Sequence, residues 1–160
     1  METSNQILVL GVGNEILTDD GIGPKLAYRL ENDFQNPKIR FDTASLGGLE
    51  LLEFIQGYQT VVFIDAIKTQ NGIPGSVYYF TPSDFKETLH LSNLHDVSFL
   101  TALKFGEKVG MQIPDKIRII AIEIIEDLVF SNSFSPEIEE KYEDIYEEVF
   151  EYIKENYCKA

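Results

Sequence analysis

The chain has 160 residues, 44% of them hydrophobic, and a formal net charge of −14. That size and composition fit one domain, residues 1–160, built on one core. So acidic a surface repels phosphate backbones and argues against a nucleic-acid partner, and no apolar run is long enough to span a bilayer.

The opening Met-Glu-Thr-Ser-Asn-Gln lacks the basic n-region of a secretory signal, and the one cysteine, Cys158, has no partner for an internal disulfide. Both features lead to the expectation of a reducing, cytoplasmic setting.

Hydrophobic periodicity alternates between strand-like and helix-like segments. Ile7 to Val12 is a continuous apolar run, the pattern of a buried strand. Gly21 to Phe34 carries Ile22, Leu26, Leu30 and Phe34 at helical spacing. Ile39 to Asp42 reads as a short strand and Leu49 to Ile55 as a helix. Val61 to Ile64 is a second buried strand ending at Asp65. After the Pro74-Gly75 turn, Ser76 to Phe80 reads as an edge strand. Val97 to Val109 is a helix and Lys116 to Ile125 a further strand. Ser135 is placed as N-cap of the last helix, with Pro136 at its first position. Ile138, Tyr142, Ile145, Val149 and Ile153 then form one apolar stripe, and the acids of the Glu137–Glu155 tract make a solvated face. Alternating strands and helices imply an α/β fold around a largely parallel sheet. The ligand site of such a sheet lies beyond the carboxyl ends of its strands.

Gly11-Val12-Gly13 after a strand looks like the opening of a dinucleotide fingerprint. Ile16 stands where the third glycine belongs, however, and the loop runs on to Asp19-Asp20. Two carboxylates where a pyrophosphate would sit repel it, which argues against a nucleotide. Asp19 fits a structural role at the start of the first helix. Asp20 is left for the crevice, with Asp65 entering from another strand end and His95 from the start of a helix. Two carboxylates and an imidazole form a mixed oxygen and nitrogen set suited to a borderline divalent cation such as nickel or zinc. His90 has no such context and is read as a surface residue.

At this point the residues resemble a known family. Gly11-Val12-Gly13-Asn14, Ile16-Leu17 and Asp19-Asp20-Gly21-Ile22-Gly23 are similar to the signature of the nickel–iron hydrogenase maturation endopeptidases. Gly48-Leu49-Glu50-Leu51-Leu52, Val62-Phe63-Ile64-Asp65-Ala66, Pro74-Gly75-Ser76, Ser92 with His95, and Ser135-Pro136-Glu137-Ile138 extend the resemblance over nearly the whole chain. It implies a three-layer α/β/α fold, phosphorylase/hydrolase-like, with a mostly parallel central sheet. It implies an endopeptidase that trims the C-terminal extension of the nickel-loaded hydrogenase large-subunit precursor. Asp20, Asp65 and His95 are the implied metal-binding positions, with Asp20 and Asp65 also catalytic. They would engage the nickel of the bound substrate, with no permanent cofactor and with zinc or cadmium able to substitute. Placed at the rim, these residues are expected to tolerate substitution without loss of the fold.

Two departures stand out. The segment from Asp42 through Gly47 and Gly48 is one residue longer than the family pattern, and this loop would help choose the precursor. Glu123 is followed by Ile124 where the family has an acid or amide before proline, implying a different crevice rim. Two rival readings remain open here. One is a receiver-like signalling domain with Asp65 as phosphoacceptor. The other is a module that binds the precursor without cutting it.

Overall fold

A computed structural model of the chain describes residues 6–45, 50–82, 88–91 and 99–158. Its elements run β1 (Ile7–Val12), a 3-10 turn (Thr18–Gly21), α1 (Ile22–Asp33), β2 (Ile39–Ala44), α2 (Leu51–Ile55) and β3 (Thr60–Ile67). Then follow β4 (Val77–Phe80), α3 (Phe99–Lys108), β5 (Lys116–Glu123) and α4 (Pro136–Tyr157).

The strands form one sheet in the order β2-β1-β3-β5-β4. All pairings are parallel except that of β4 with β5, so the sheet is mostly parallel, as expected. Apolar side chains cover both faces. Ile22, Leu26 and Leu30 of α1 and Ile138, Ile145, Val149 and Ile153 of α4 pack against one face. Leu51, Leu52 and Ile55 of α2 and Phe99, Ala102 and Leu103 of α3 pack against the other. The result is a three-layer α/β/α arrangement. Each fully buried Leu or Ile contributes about 1.5–3 kcal/mol, so the stripes on α1 and α4 hold that layer to the sheet.

Burial on both faces explains why β3 is apolar almost throughout. It also makes Asp65 an exception inside a dry strand. The sequence reading ended this strand at Asp65, but β3 continues to Ile67. Hydrogen-bonded pairing with β5 extends to Ile67 opposite Glu123, which carries the strand past the acid. Likewise β2 runs on to Ala44 because it keeps pairing with β1, opposite Val12.

The glycines near β1 serve close packing. Gly23 lies where a Cβ would come within 2.4 Å of the Ile64 carbonyl oxygen and 2.7 Å of that of Val12. Gly13 has φ +153°, and a Cβ there would meet the Asp20 carbonyl oxygen at 2.1 Å. A motif that imitates a phosphate cradle therefore lets the start of α1 press onto β1 and β3, and brings the Asp19–Asp20 turn down onto the sheet.

Candidate active site

β1 and β3 are neighbours, and the chain leaves β1 toward the α1 face while α2, which leads into β3, lies on the other face. This reversal is where a parallel sheet opens a crevice. Asp20 follows β1 and Asp65 lies near the carboxyl end of β3.

Asp20 is 4% exposed and Asp65 is fully buried. The Gly13-Asn14 turn folds around Asp20, and the Asn14 backbone N–H donates to its Oδ2 at 3.0 Å. Asp65 Oδ1 accepts from the backbone N–H of Ala66 at 2.9 Å. Its Oδ2 accepts from the N–H groups of His90 at 2.9 Å and Leu91 at 3.3 Å. Burying a carboxylate without such donors would be prohibitive.

The imidazole of His90 stands between the two acids. Its Nδ1 is 2.7 Å from Asp65 Oδ1 and its Nε2 is 3.2 Å from Asp20 Oδ2. Burial lowers the pKa of His90, but hydrogen bonds and charge from Asp20 and Asp65 outweigh it and push it up to about 10. The ring is therefore an imidazolium at neutral pH, donating from both nitrogens. It fills with positive charge the space between two negative groups.

This corrects the reading of His90 as a surface residue. The backbone is the reason: Leu89 N–H donates to the Ala66 carbonyl at 2.9 Å, and the next two N–H groups go to Asp65. Those bonds lay the segment against β3 and turn the ring inward. A sequence signal existed in the leucines on either side of His90, since Leu91 is buried and Leu89 packs on the core.

His95 lies outside the described residues, as do Gly47 and Gly48. Asp42 is exposed on β2, and its Oδ1 accepts from the N–H of Thr43 at 2.8 Å. A cleft lined by Gly13, Asn14, Glu15, Ile16, Thr43 and Ala44, among others, separates the motif loop from the end of β2. The cleft thus lies on the β2 side of the loop that leads to Asp20. Among the described residues, no three His, Cys, Asp or Glu side chains are arranged to hold a metal ion. The His90 ring keeps the carboxylates of Asp20 and Asp65 from converging.

Asp19 is structural, but it serves a different helix from the one expected. It is fully buried and accepts from Ile125 N–H at 3.2 Å, Glu126 N–H at 2.9 Å, and both the N–H and hydroxyl of Ser135 at 2.7 Å. Ser135 does occupy the N-cap position of α4, with Pro136 following, but its hydroxyl goes to Asp19. Glu123, which precedes Ile124, has a structural role of its own. Its carboxylate is buried and accepts from Thr69 N–H and hydroxyl and from the Tyr78 hydroxyl, clasping the β3–β4 connection.

The receiver-like reading fails at Asp65. A phosphoacceptor must offer a free carboxylate oxygen to an incoming phosphoryl group, and here both oxygens are buried and engaged. The expectation that the site acids sit at the rim fails for the same residue.

The family model described as hydrogenase maturation protease matches residues 24–152. The hydrogenase 2 maturation protease of Escherichia coli (strain K12) is 29% identical over 140 residues, covering 84% of this chain and 82% of that protein. The solved structure of the hydrogenase maturating endopeptidase HybD from E. coli superposes with a TM-score of 0.71 at 24% identity, over 95% of this chain and 94% of that one. The [NiFe] hydrogenase maturation protease HycI from Thermococcus kodakarensis gives a TM-score of 0.68 at 23% identity, over 94% of this chain and 93% of that one. These two likenesses establish the fold.

Proposed function

The chain belongs to the hydrogenase maturation protease family, and from that premise we propose that its Asp20–Asp65 crevice cuts the C-terminal extension from a nickel-loaded hydrogenase large-subunit precursor. It is a peptidase that processes a hydrogenase precursor; the metal dependence and the residue roles are our reading. One observation carries that reading: two buried carboxylates, Asp20 from the turn after β1 and Asp65 from the neighbouring β3, meet across one imidazole.

Covalent catalysis has no good carrier. No serine sits in a Gly-x-Ser-x-Gly elbow. Cys158 caps the far end of α4 and packs with the α1–α4 face, where burial pushes its thiol pKa up. Direct attack by water remains. An aspartic dyad shares one proton between adjoining carboxylates. Here the His90 ring separates the acids, so a single carboxylate accepts the proton of the attacking water: Asp20, or Asp65 once the ring has left its Oδ1.

The nickel belongs to the substrate. Two carboxylates with an imidazole nearby offer the oxygen and nitrogen donors that such an ion takes. Asp20 and Asp65 would engage it, with His95 as the third position implied by the family signature. Its charge would polarise the scissile carbonyl. His90 then acts as a resting-state counter-cation that yields its place when the substrate arrives.

The test is incubation with nickel-loaded large-subunit precursor, read by mass spectrometry for loss of a C-terminal peptide. Asp20→Asn and Asp65→Asn should each cut the processing rate at least about 100-fold, the scale of a lost general base. Cys158→Ser should process normally. An inactive Cys158→Ser beside a fully active Asp65→Asn would overturn this chemistry.

A further inference from the structure

Beyond β5 the chain presents Leu128, Val129 and Phe130 in succession, with relative exposures of 79%, 55% and 79%. Ile16 of the motif loop and Ile125 are exposed as well. Three consecutive apolar side chains held in water mark a contact surface.

The backbone beneath them is well tied. Glu126 Oε2 accepts from the N–H groups of Leu128 at 2.8 Å and Val129 at 3.2 Å. Asp127 pairs with Lys68 at 3.1 Å. Ser131 N–H donates to the Ile16 carbonyl at 2.9 Å, and Thr18 N–H returns to the Ser131 carbonyl at 2.9 Å. The Thr18 hydroxyl donates to the Val129 carbonyl at 2.5 Å. Thr18 has φ +56°, a left-handed conformation that a β-branched residue adopts only under constraint. The apolar tip and the turn carrying Asp19 and Asp20 are therefore one hydrogen-bonded unit at the mouth of the crevice.

We propose that this tip, Leu128 to Phe130 with Ile16, is the surface on which the folded body of the precursor docks. The inference rests on the peptidase reading of the adjacent crevice. Thr18 ties the tip to the turn that carries Asp20, two residues on, so a protein whose tail enters at Asp20 has this apolar surface beside the entry. A second copy of this chain is the less suitable occupant. Each copy carries a net charge of −14, and Glu15 is exposed beside Ile16, so self-association would oppose like charges. The complementary partner is an apolar cluster bordered by lysine or arginine.

The experiment compares wild type with the Leu128→Ser/Phe130→Ser double variant on nickel-loaded precursor. The expected result is a KM raised at least about tenfold with kcat within about twofold, the pattern of lost binding that is uniform through the reaction. Calorimetric affinity for the precursor should fall by the same factor. Leu128→Lys should bind more weakly than Leu128→Glu, because it meets the basic border. Unchanged KM and affinity in the double variant would overturn the proposal. So would a wild-type dimer that the double variant dissociates while processing as before. If wild type binds the precursor without shortening it, the peptidase mechanism fails, while the affinity comparison still decides the docking surface.

Discussion

Asp65 grips His90 twice, through the ring Nδ1 at 2.7 Å and the backbone N–H at 2.9 Å. The other ring nitrogen reaches Asp20 at 3.2 Å. The tether to β3 is thus the firmer one.

His90 makes stability depend on pH in a definite direction. Its folded pKa, about 10, lies above the ordinary histidine value of about 6.5. The folded state therefore holds the proton more tightly than the unfolded chain. The stabilisation is fully present below about pH 6.5 and is lost as pH rises toward about 10. One proton sets a limiting slope of about 1.4 kcal/mol per pH unit. Urea unfolding of wild type and His90→Gln across this range should give curves that converge at the alkaline end. A constant gap would mean that the ring is neutral in the fold.

The two histidines should respond oppositely to added zinc or cadmium. If His90 fills the cation's place, His90→Ala frees both carboxylates and raises affinity, while Asp20→Asn lowers it. His95→Ala should lower affinity by about 10- to 100-fold if that residue is a ligand, the scale of disturbance at a metal site. Calorimetry on the three variants decides. Weaker binding by His90→Ala would make it the ligand.

The adjacent acids should separate cleanly. Asp19→Ala removes a buried acceptor of four hydrogen bonds and should destabilise the protein by about 3–5 kcal/mol. Asp20→Ala should cost less, because Asp20 holds one backbone N–H and one side of the imidazolium. Chemical denaturation measures both. Equal losses would assign the two residues the same role.

Gly23→Ala should be among the most damaging single substitutions. The new methyl would press on two carbonyl oxygens at 2.4 and 2.7 Å, and neither strand is free to retreat. Over-packing of this kind costs roughly 1–3 kcal/mol or more. The expected outcome is a thermal midpoint lowered by several degrees together with reduced processing. An unchanged midpoint would show that α1 is free to shift.

Most of the fold was legible because periodicity reports burial directly. The α4 stripe is buried as read, apart from Tyr142, which is half-buried, and the Ser76–Phe80 strand lies at the edge, where its weak alternation put it. Strand ends were less legible, since pairing with a neighbour carries β2 and β3 beyond their apolar runs. Asp20 stood out as an acid in the turn after the first apolar strand, and Asp65 as the acid that closes an apolar run. His90 did not, because what turns it inward is backbone bonding to a distant strand, and the only local hint was the leucine on either side of it. The partner of Asp19 was hidden for the same reason: Ser135 lies at the other end of the chain, and local patterning registers only neighbours.

That long reach has a consequence for synthesis. The donors that fix Asp19 all come from Ile125, Glu126 and Ser135. A nascent chain that has completed β1, α1 and even β3 has none of them. Non-local contacts of this kind form late, after local ones. The turn bearing Asp20 is locked only once β5 and the start of α4 have emerged. The turn that carries Asp20 therefore takes its final place only after most of the chain has been made, so a site built on it, as we propose, is absent from an unfinished chain.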